Sequence, residues 1–275
     1  MSTLARSAPR SGALIPQDES FRPKRVNVLG VGVHAVNMDD ALRVLRIAIQ
    51  CDSKGLICAT SVHGVMESQR DPCIRSIINN SLLTIPDGRP MMWVGQLTGH
   101  RRMTQVTGPD FMLAVCKASV QLGYTHFLYG GKPGIAEELK QCLERKFSGI
   151  RVVGTYTPPF RPLSHVEEQE LLDRVSDSRP DIIWVGISTP RQECFMAEYL
   201  HRLDTKIMVG VGAAFDLHTG HLKDSPQWVK AAGLQWFHRL LQEPARLWKR
   251  YLVNVTTFLW NITLQMLRLK TFNTA

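Results

Sequence analysis

Asp181-Ile182-Ile183-Trp184-Val185-Gly186 and, after Ile187, Ser188-Thr189-Pro190-Arg191-Gln192-Glu193 decide the architecture of this chain. Four consecutive apolar residues with no polar alternation are what a strand covered on both faces requires. The Ser-Thr-Pro that follows is the start of a helix, with Thr189 as its cap and Pro190 in its first turn. Lys206–Val211 repeats the apolar run. Working outward, further strands are predicted at Val26–Leu29, Leu56–Ala59, Leu82–Ile85, Thr125–Tyr129 and Ile150–Gly154. Helical patterns lie between them at Asp40–Ile49, Pro109–Gln121, Gly134–Phe147 and Ser164–Ser176. Strands alternating with helices imply βαβ units, and hence an α/β fold with a mainly parallel sheet and helices on both faces.

From about residue 221 the character changes. Gly233-Leu234-Gln235-Trp236-Phe237 opens a helical, aromatic and basic segment, in which Pro244 separates two helices. Tyr251, Val255, Phe258, Ile262 and Met266 recur at helical spacing. Residues 251–267 carry no charge, yet Asn254, Thr256, Thr257, Asn261, Thr263 and Gln265 make a poor bilayer span. Two readings stand side by side: a helix lying in the membrane interface, and a helix packed on the core. The organisation expected is a disordered segment 1–25, a core 26–220 and a helical, membrane-associating appendage 221–275.

Charge follows the same division. The net charge of +9 resides at the two ends, +3 over residues 1–25 and +6 over 221–275, around a neutral middle. A basic appendage on a neutral body points to a local anionic partner such as anionic lipid, pyrophosphate or nucleic acid. The start lacks the long apolar core of a secretory signal, so a cytoplasmic location is expected. The six cysteines are scattered and form no C-x-x-C pair, which argues against a zinc site and a disulfide framework. Buried, reduced thiols are expected.

Several constellations could carry chemistry. Gly30-Val31-Gly32-Val33-His34-Ala35 matches a degenerate dinucleotide loop or is a plain turn. The next strand ends in Thr60 rather than an acidic residue, and the next helix starts late, near Asp39, which counts against a dinucleotide. Tyr129-Gly130-Gly131-Lys132-Pro133-Gly134 joins a strand to a helix, and its free backbone N–H groups and Lys132 suit a phosphate as well as a simple turn. Asp87, in Ile85-Pro86-Asp87-Gly88-Arg89-Pro90, follows a strand where open α/β sheets bind ligands; it is a candidate general base or an Asp-Gly turn residue. Arg191 and Gln192 are expected to point into the same crevice, unless that segment serves only as a cap. Arg239, Arg246, Lys249 and Arg250 lie along the appendage among Trp236, Phe237 and Trp248; Arg239 and Arg246 share a face if the helix is continuous. Arginine suits bidentate phosphate contact, although a solvated basic face has the same composition. His218 and His221 lack a third ligand nearby, and there is no D-x-D, H-E-x-x-H, G-x-S-x-G or G-x-x-x-x-G-K-S/T. Neither a metal nor a cofactor is expected.

Taken in order, Pro86-Asp87-Gly88, Val106-Thr107-Gly108-Pro109-Asp110, Phe127–Gly131 with Pro133–Glu137, Pro190–Glu193, Gly210–Gly212 with Phe215-Asp216, and Gly233–Trp236 running into Arg239–Pro244 and Arg250-Tyr251 resemble the WecG/TagA/CpsF family, glycosyltransferase family 26. The resemblance covers about residues 26–252. It implies a Rossmann-like core and an inverting, metal-independent transferase. Such an enzyme moves a sugar from a UDP donor, of UDP-N-acetylmannosamine, UDP-hexose or hexuronate type, to an undecaprenyl-diphosphate-linked acceptor in surface polysaccharide synthesis. It further implies peripheral association with the inner face of the cell membrane. By the resemblance Asp87 is the base, Thr60 and Gln192 line the pocket, and Arg239, Arg246 and Lys249 neutralise diphosphate charge, a task that falls to the protein when no metal is present. His63, Gln105, Gly108, Asp110, Gly130, Gly131, Arg191 and Arg250 complete the expected binding set. The chain departs from the family where Val62-His63 follows Thr60 in place of an asparagine two residues on, where Gln105 replaces an arginine with Arg101 and Arg102 close by, and where Lys249 replaces an arginine. These changes bear on donor and acceptor identity. Nucleic acid is not an expected partner, and a homo-oligomer is left open. A dinucleotide oxidoreductase and a non-catalytic membrane-surface binder are the alternative classes.

Overall fold

Side chains that alternate along six covered strands sort the molecule into two cores, one on each face of a central sheet. The computed structural model describes residues 21–226, 228–229 and 233–274, with the side chains of Arg246, Lys249 and Arg250 outside that description. The sheet consists of β3 (Gly55–Thr60), β4 (Leu83–Pro86), β5 (Thr125–Gly130), β6 (Arg151–Tyr156), β7 (Ile182–Gly186) and β8 (Ile207–Gly210), all parallel, in the order β4-β3-β8-β7-β5-β6. The fold is α/β, Rossmann-like in its layers but with its own strand order.

One face carries Cys58, Tyr129, Ile183, Val185 and Met208. Against it pack α2 (Val62–Arg70), α3 (Pro72–Asn79), α4 (Arg89–Leu97), α7 (His165–Ser178) and α8 (Arg191–Tyr199). The other face carries Ile57, Ile85, Leu128, Trp184 and Val209, under α1 (Met38–Gln50), α5 (Gly108–Leu122), α6 (Ile135–Lys146) and α9 (Ala214–His218). The unbroken apolar runs in the sequence are these doubly covered strands.

This layering determines where a ligand fits. The chain leaves β3 and β7 toward α2 and α8 on one face, and leaves the neighbouring β8 and β5 toward α9 and α6 on the other. Where connections diverge in this way, a crevice opens at the carboxyl ends of the strands.

Three expectations need correction. Gly30–Ala35 is not a strand-to-helix loop. Leu29 and Gly30 form a tight turn with positive φ, and Val31–His34 is strand β2, paired antiparallel with β1 (Arg25–Val28) in a separate two-stranded ribbon. The late helix start near Asp39 had this cause: α1 begins only after Asn37, whose side chain caps it. The thiols are all free, but only Cys58 and Cys116 are buried, while Cys51, Cys73 and Cys194 are exposed. Thr189 does not cap α8; Pro190 occupies the cap position and the Thr189 hydroxyl donates to Glu193 Oε1 at 2.9 Å. The basic segment is two helices, as Pro244 implied: α10 (Gln235–Gln242) and α11 (Pro244–Met266) are divided at Glu243, where φ is −134° and ψ 56°, so Arg239 and Arg246 do not lie on one continuous helix.

The segment expected to be disordered falls mostly on residues 1–20, outside the described residues. The ring of Phe21, the first described residue, lies 4.4 Å from the Arg43 guanidinium. At the other end α11 is part of the core. Leu247, Asn254, Phe258 and Ile262 are buried at intervals of seven, four and four, and Phe258 and Ile262 join the core cluster that includes Val65 and Met66 of α2. The opposite face exposes Trp248, Leu252, Leu259 and Trp260, the last 67% exposed. The core-packed reading of this helix holds for its inner side. No described helix is long and apolar enough to cross a membrane.

Candidate active site

β3 and β4 bring the leading candidates together. Thr60 ends β3; it is 1% exposed and its Oγ1 has no hydrogen-bond partner. Asp87 follows β4 directly, and its backbone N–H donates to the Thr60 carbonyl at 3.0 Å. On the other side the Val106 N–H donates to the Pro86 carbonyl, also at 3.0 Å. Gly88 then turns the chain into α4 with φ 111°, a conformation that favours glycine. Asp87 is thus held between two backbone attachments with its carboxyl partly buried. Burial pushes that carboxyl up to about 6; Arg239 pulls it down and Asp110 adds to the rise. A carboxylate in that range is matched to proton transfer near neutrality.

Arg239 belongs to α10, so the arm reaches the crevice. The arm is fastened there at two further points. Gln105 Nε2 donates to Gln235 Oε1 at 3.0 Å, and a Cβ on Gly233 would lie 2.7 Å from Arg89 Cδ. Arg239 Nε also lies 3.8 Å from Glu243 Oε2. The expected contributions of Arg246, Lys249 and Arg250 fall on side chains outside the described residues. Arg101 and Arg102 are exposed in the turn after α4.

The start of α5 closes another side. Thr107 caps it by accepting from the Asp110 N–H at 3.2 Å, and its hydroxyl donates to Asp110 Oδ2 at 2.6 Å. Gly108 allows α5 to touch the ends of β3 and β8: a Cβ there would meet Val211 Cα at 3.2 Å and Ala59 Cβ at 3.3 Å.

Two candidate groups behave differently from expectation. The Gly131 N–H is not free for a phosphate, because it donates to the Gly186 carbonyl at 3.2 Å. A Cβ on Gly130 would come 2.6 Å from that same oxygen, so Gly130 is required by the close approach of β5 and β7. Gln192 and Arg191 diverge. Gln192 is 2% exposed; its Oε1 accepts from the Gly212 N–H at 3.0 Å, and its Nε2 donates to Thr189 Oγ1 at 3.3 Å and Glu193 Oε1 at 3.0 Å. It ties the β7 and β8 loops together beneath the crevice, while Arg191 is exposed. His63 sits at the start of α2, between Thr189 and the terminal helix.

Sequence reasoning missed Glu193 and Asn254. The Glu193 carboxyl is buried, its Oε2 has no partner, and burial pushes it up against hydrogen bonds from Gln192 and Thr189. Its neighbour Gln192 was the only signal. Asn254 counted merely as one of the polar residues that spoil a membrane span, yet it is buried. His218 and His221 do not face each other's ligands: His218 Nε2 lies 3.1 Å from the Pro109 carbonyl and His221 Nε2 2.7 Å from Glu138 Oε2. Among the described residues no group of three or more His, Cys, Asp or Glu is placed to hold a metal ion.

A hollow of about 480 Å³, lined by residues including Pro133, Thr157 and Phe160, lies at the β6 edge, the far side of the sheet from Asp87. A second, of about 320 Å³, lies between α1 and α5. Neither hollow includes Asp87, which lies at the ends of β3 and β4 beside the start of α10.

The chain is similar to two N-acetylglucosaminyldiphosphoundecaprenol N-acetyl-beta-D-mannosaminyltransferases. That of Bacillus spizizenii (strain W23) is 28% identical over 186 residues, 68% of this chain and 70% of the relative. That of Bacillus subtilis (strain 168) is 27% identical over 177 residues, 64% of this chain and 66% of the relative. The profile of one glycosyltransferase family matches residues 26–272, which include all but the first residue of β1, every strand of the sheet and both arm helices. The chain therefore belongs to the glycosyl transferase WecG/TagA/CpsF family and is a glycosyltransferase.

Proposed function

We propose that the chain transfers a sugar, of the N-acetylmannosamine type that the relatives' names carry, from its UDP derivative to an N-acetylglucosaminyl unit on polyprenyl diphosphate. The observation that carries the reading is that the arm is fastened beside Asp87, through Gln235 on Gln105 and Gly233 against Arg89, close enough for Arg239 to act electrostatically on its carboxyl. Asp87 takes the proton from an acceptor hydroxyl. The hydroxyl oxygen attacks the anomeric carbon on the side opposite the nucleotide; the bond from that carbon to the diphosphate oxygen breaks, and UDP leaves with the electron pair. The product is inverted at that carbon, and the proton passes from Asp87 to water.

Arg239 faces the charge growing on the departing diphosphate, where a fixed cation is most effective. Arg246, Lys249 and Arg250 are assigned to the same task on the arm's sequence. The unpartnered Thr60 hydroxyl is assigned to the donor, since a buried polar group without a partner is costly unless a ligand satisfies it. The exposed aromatic and aliphatic faces of α10 and α11 support a peripheral position on an anionic membrane, where a lipid-linked acceptor resides.

The test is direct. Purified full-length protein is given UDP-N-acetylmannosamine and an N-acetylglucosaminyl-diphosphoryl-polyprenol, and both UDP and the lipid-linked disaccharide are measured. Equimolar formation of the two is expected. Replacing the donor with UDP-hexoses and UDP-hexuronates reveals whether Gln105 and Val62 mark a changed sugar. Absence of lipid-linked product with every UDP-sugar sinks the reading.

A further inference from the structure

One line of hydrogen bonds joins the terminal helix to the crevice, and its far end fixes its polarity. Asn254 lies in the middle of α11 and is 4% exposed. Arg70 Nη2 donates to Asn254 Oδ1 at 2.5 Å. A guanidinium only donates, so the amide oxygen must face it and the amide nitrogen must face the other way. That nitrogen lies 3.2 Å from His63 Nδ1, which therefore accepts. The imidazole proton is then on Nε2, 3.4 Å from the Thr189 carbonyl oxygen that receives it. Glu67 neutralises Arg70 at 2.5 Å and lies 3.6 Å from His63 Nδ1. Beyond Thr189 the line continues through its hydroxyl to Gln192 and Glu193, and through Gln192 Oε1 to the Gly212 N–H.

Asn254 is not needed to hold the helix. Phe258 and Ile262 bury its inner face, and Gln265 fastens its end by accepting from the Leu29 N–H at 2.8 Å and donating to the Asn27 carbonyl at 2.7 Å. A leucine at 254 would keep the volume and the apolar packing, while leaving His63 Nδ1 and Arg70 Nη2 without this partner. What only the amide supplies is the directed link from Arg70 to His63.

We propose that Asn254 and His63 are positioning residues that couple the seating of α11 to the loops after β7 and β8, so that the crevice is ordered for its ligand only when the arm is docked. The choice of UDP as probe rests on the donor assigned above; the coupling itself does not. A contiguous network with one permitted polarity is a physical carrier for such coupling, which is typically worth a five- to hundredfold change in affinity.

Asn254→Leu, His63→Ala, their double variant and Gln265→Leu are compared with the parent chain in two measurements: amide hydrogen exchange of segments 187–193 and 210–214, and UDP titration by calorimetry. Asn254→Leu and His63→Ala are expected to speed exchange in both segments and to weaken UDP roughly tenfold. The double variant is expected to be no worse than the more severe single one, because both interrupt the same line. Gln265→Leu, which loosens the helix at its other end, is expected to lower the melting temperature and leave both readouts unchanged. Parent-like exchange in Asn254→Leu overturns the proposal, as does an equal effect of Gln265→Leu. If the parent chain binds no UDP, the donor assignment falls, and exchange alone decides the coupling.

Discussion

Asp87 carries opposed consequences for chemistry and for stability. With its carboxyl raised to about 6, transfer measured as kcat/KM is expected to fall about tenfold per pH unit below that value, as the base becomes protonated. Asp87→Asn is expected to lose at least ~10²-fold in rate and the acidic limb of the profile with it. Near-parental turnover would remove Asp87 from the base's role. Stability goes the other way. A carboxyl that holds its proton more tightly folded than unfolded stabilises the protein at low pH; that contribution is lost as pH rises from about 4 to 6 and stays lost above. Asparagine cannot ionise, so the variant should be more stable than the parent at pH 7–8 by up to roughly 2–3 kcal/mol, read from denaturant or thermal unfolding. Asp87 was legible in the sequence because it directly follows an apolar strand. The orientation of Gln192 was not, because one residue along a helix is a turn of about 100°, and only the packed α8 shows which of Arg191 and Gln192 faces inward.

At the scale of the element, the terminal helices have two apolar sides. The inner side of α11 is packed on α2, and the outer side presents Leu252, Leu259 and Trp260 with Trp248 at one end. Leu252→Glu with Trp260→Glu is expected to weaken binding to anionic vesicles at least roughly tenfold while leaving the melting temperature near that of the parent, since both side chains are exposed. Unchanged vesicle binding in a sedimentation assay would remove this face from the membrane role. Sequence periodicity identified the inner face through Phe258 and Ile262, but helical spacing cannot say whether an apolar stripe meets protein or lipid. The strands were read well for the opposite reason: a run apolar on both faces fits little but a covered parallel strand. β2 was missed because its glycines imitate a nucleotide loop, and only its pairing with β1 reveals a ribbon.

At the scale of the whole molecule, the body and the arm form one cooperative structure, although sequence character divides them near residue 220. Phe258→Ala is expected to cost about 3–5 kcal/mol, read as a lowered midpoint in chemical denaturation. Removal of residues 244–275 should lower the melting temperature of what remains by many degrees, because α2 and the first ribbon lose their cover. A truncated chain that melts like the parent would mean the arm is an independent attachment. The family profile, which runs through both parts to residue 272, fits the cooperative view.

The ribbon of β1 and β2 is clasped by the other end of the chain: Gln265 bonds Leu29 and Asn27, and the Asn27 amide donates to the Phe272 carbonyl. Contacts that span some 240 residues are the slowest to close. During synthesis β1 and β2 must wait, with one flank bare, until α11 and the residues that follow it have been made. A chain stalled before α11 therefore leaves the backbone groups of Asn27 and Leu29 without these partners, and synthesis through Phe272 supplies them.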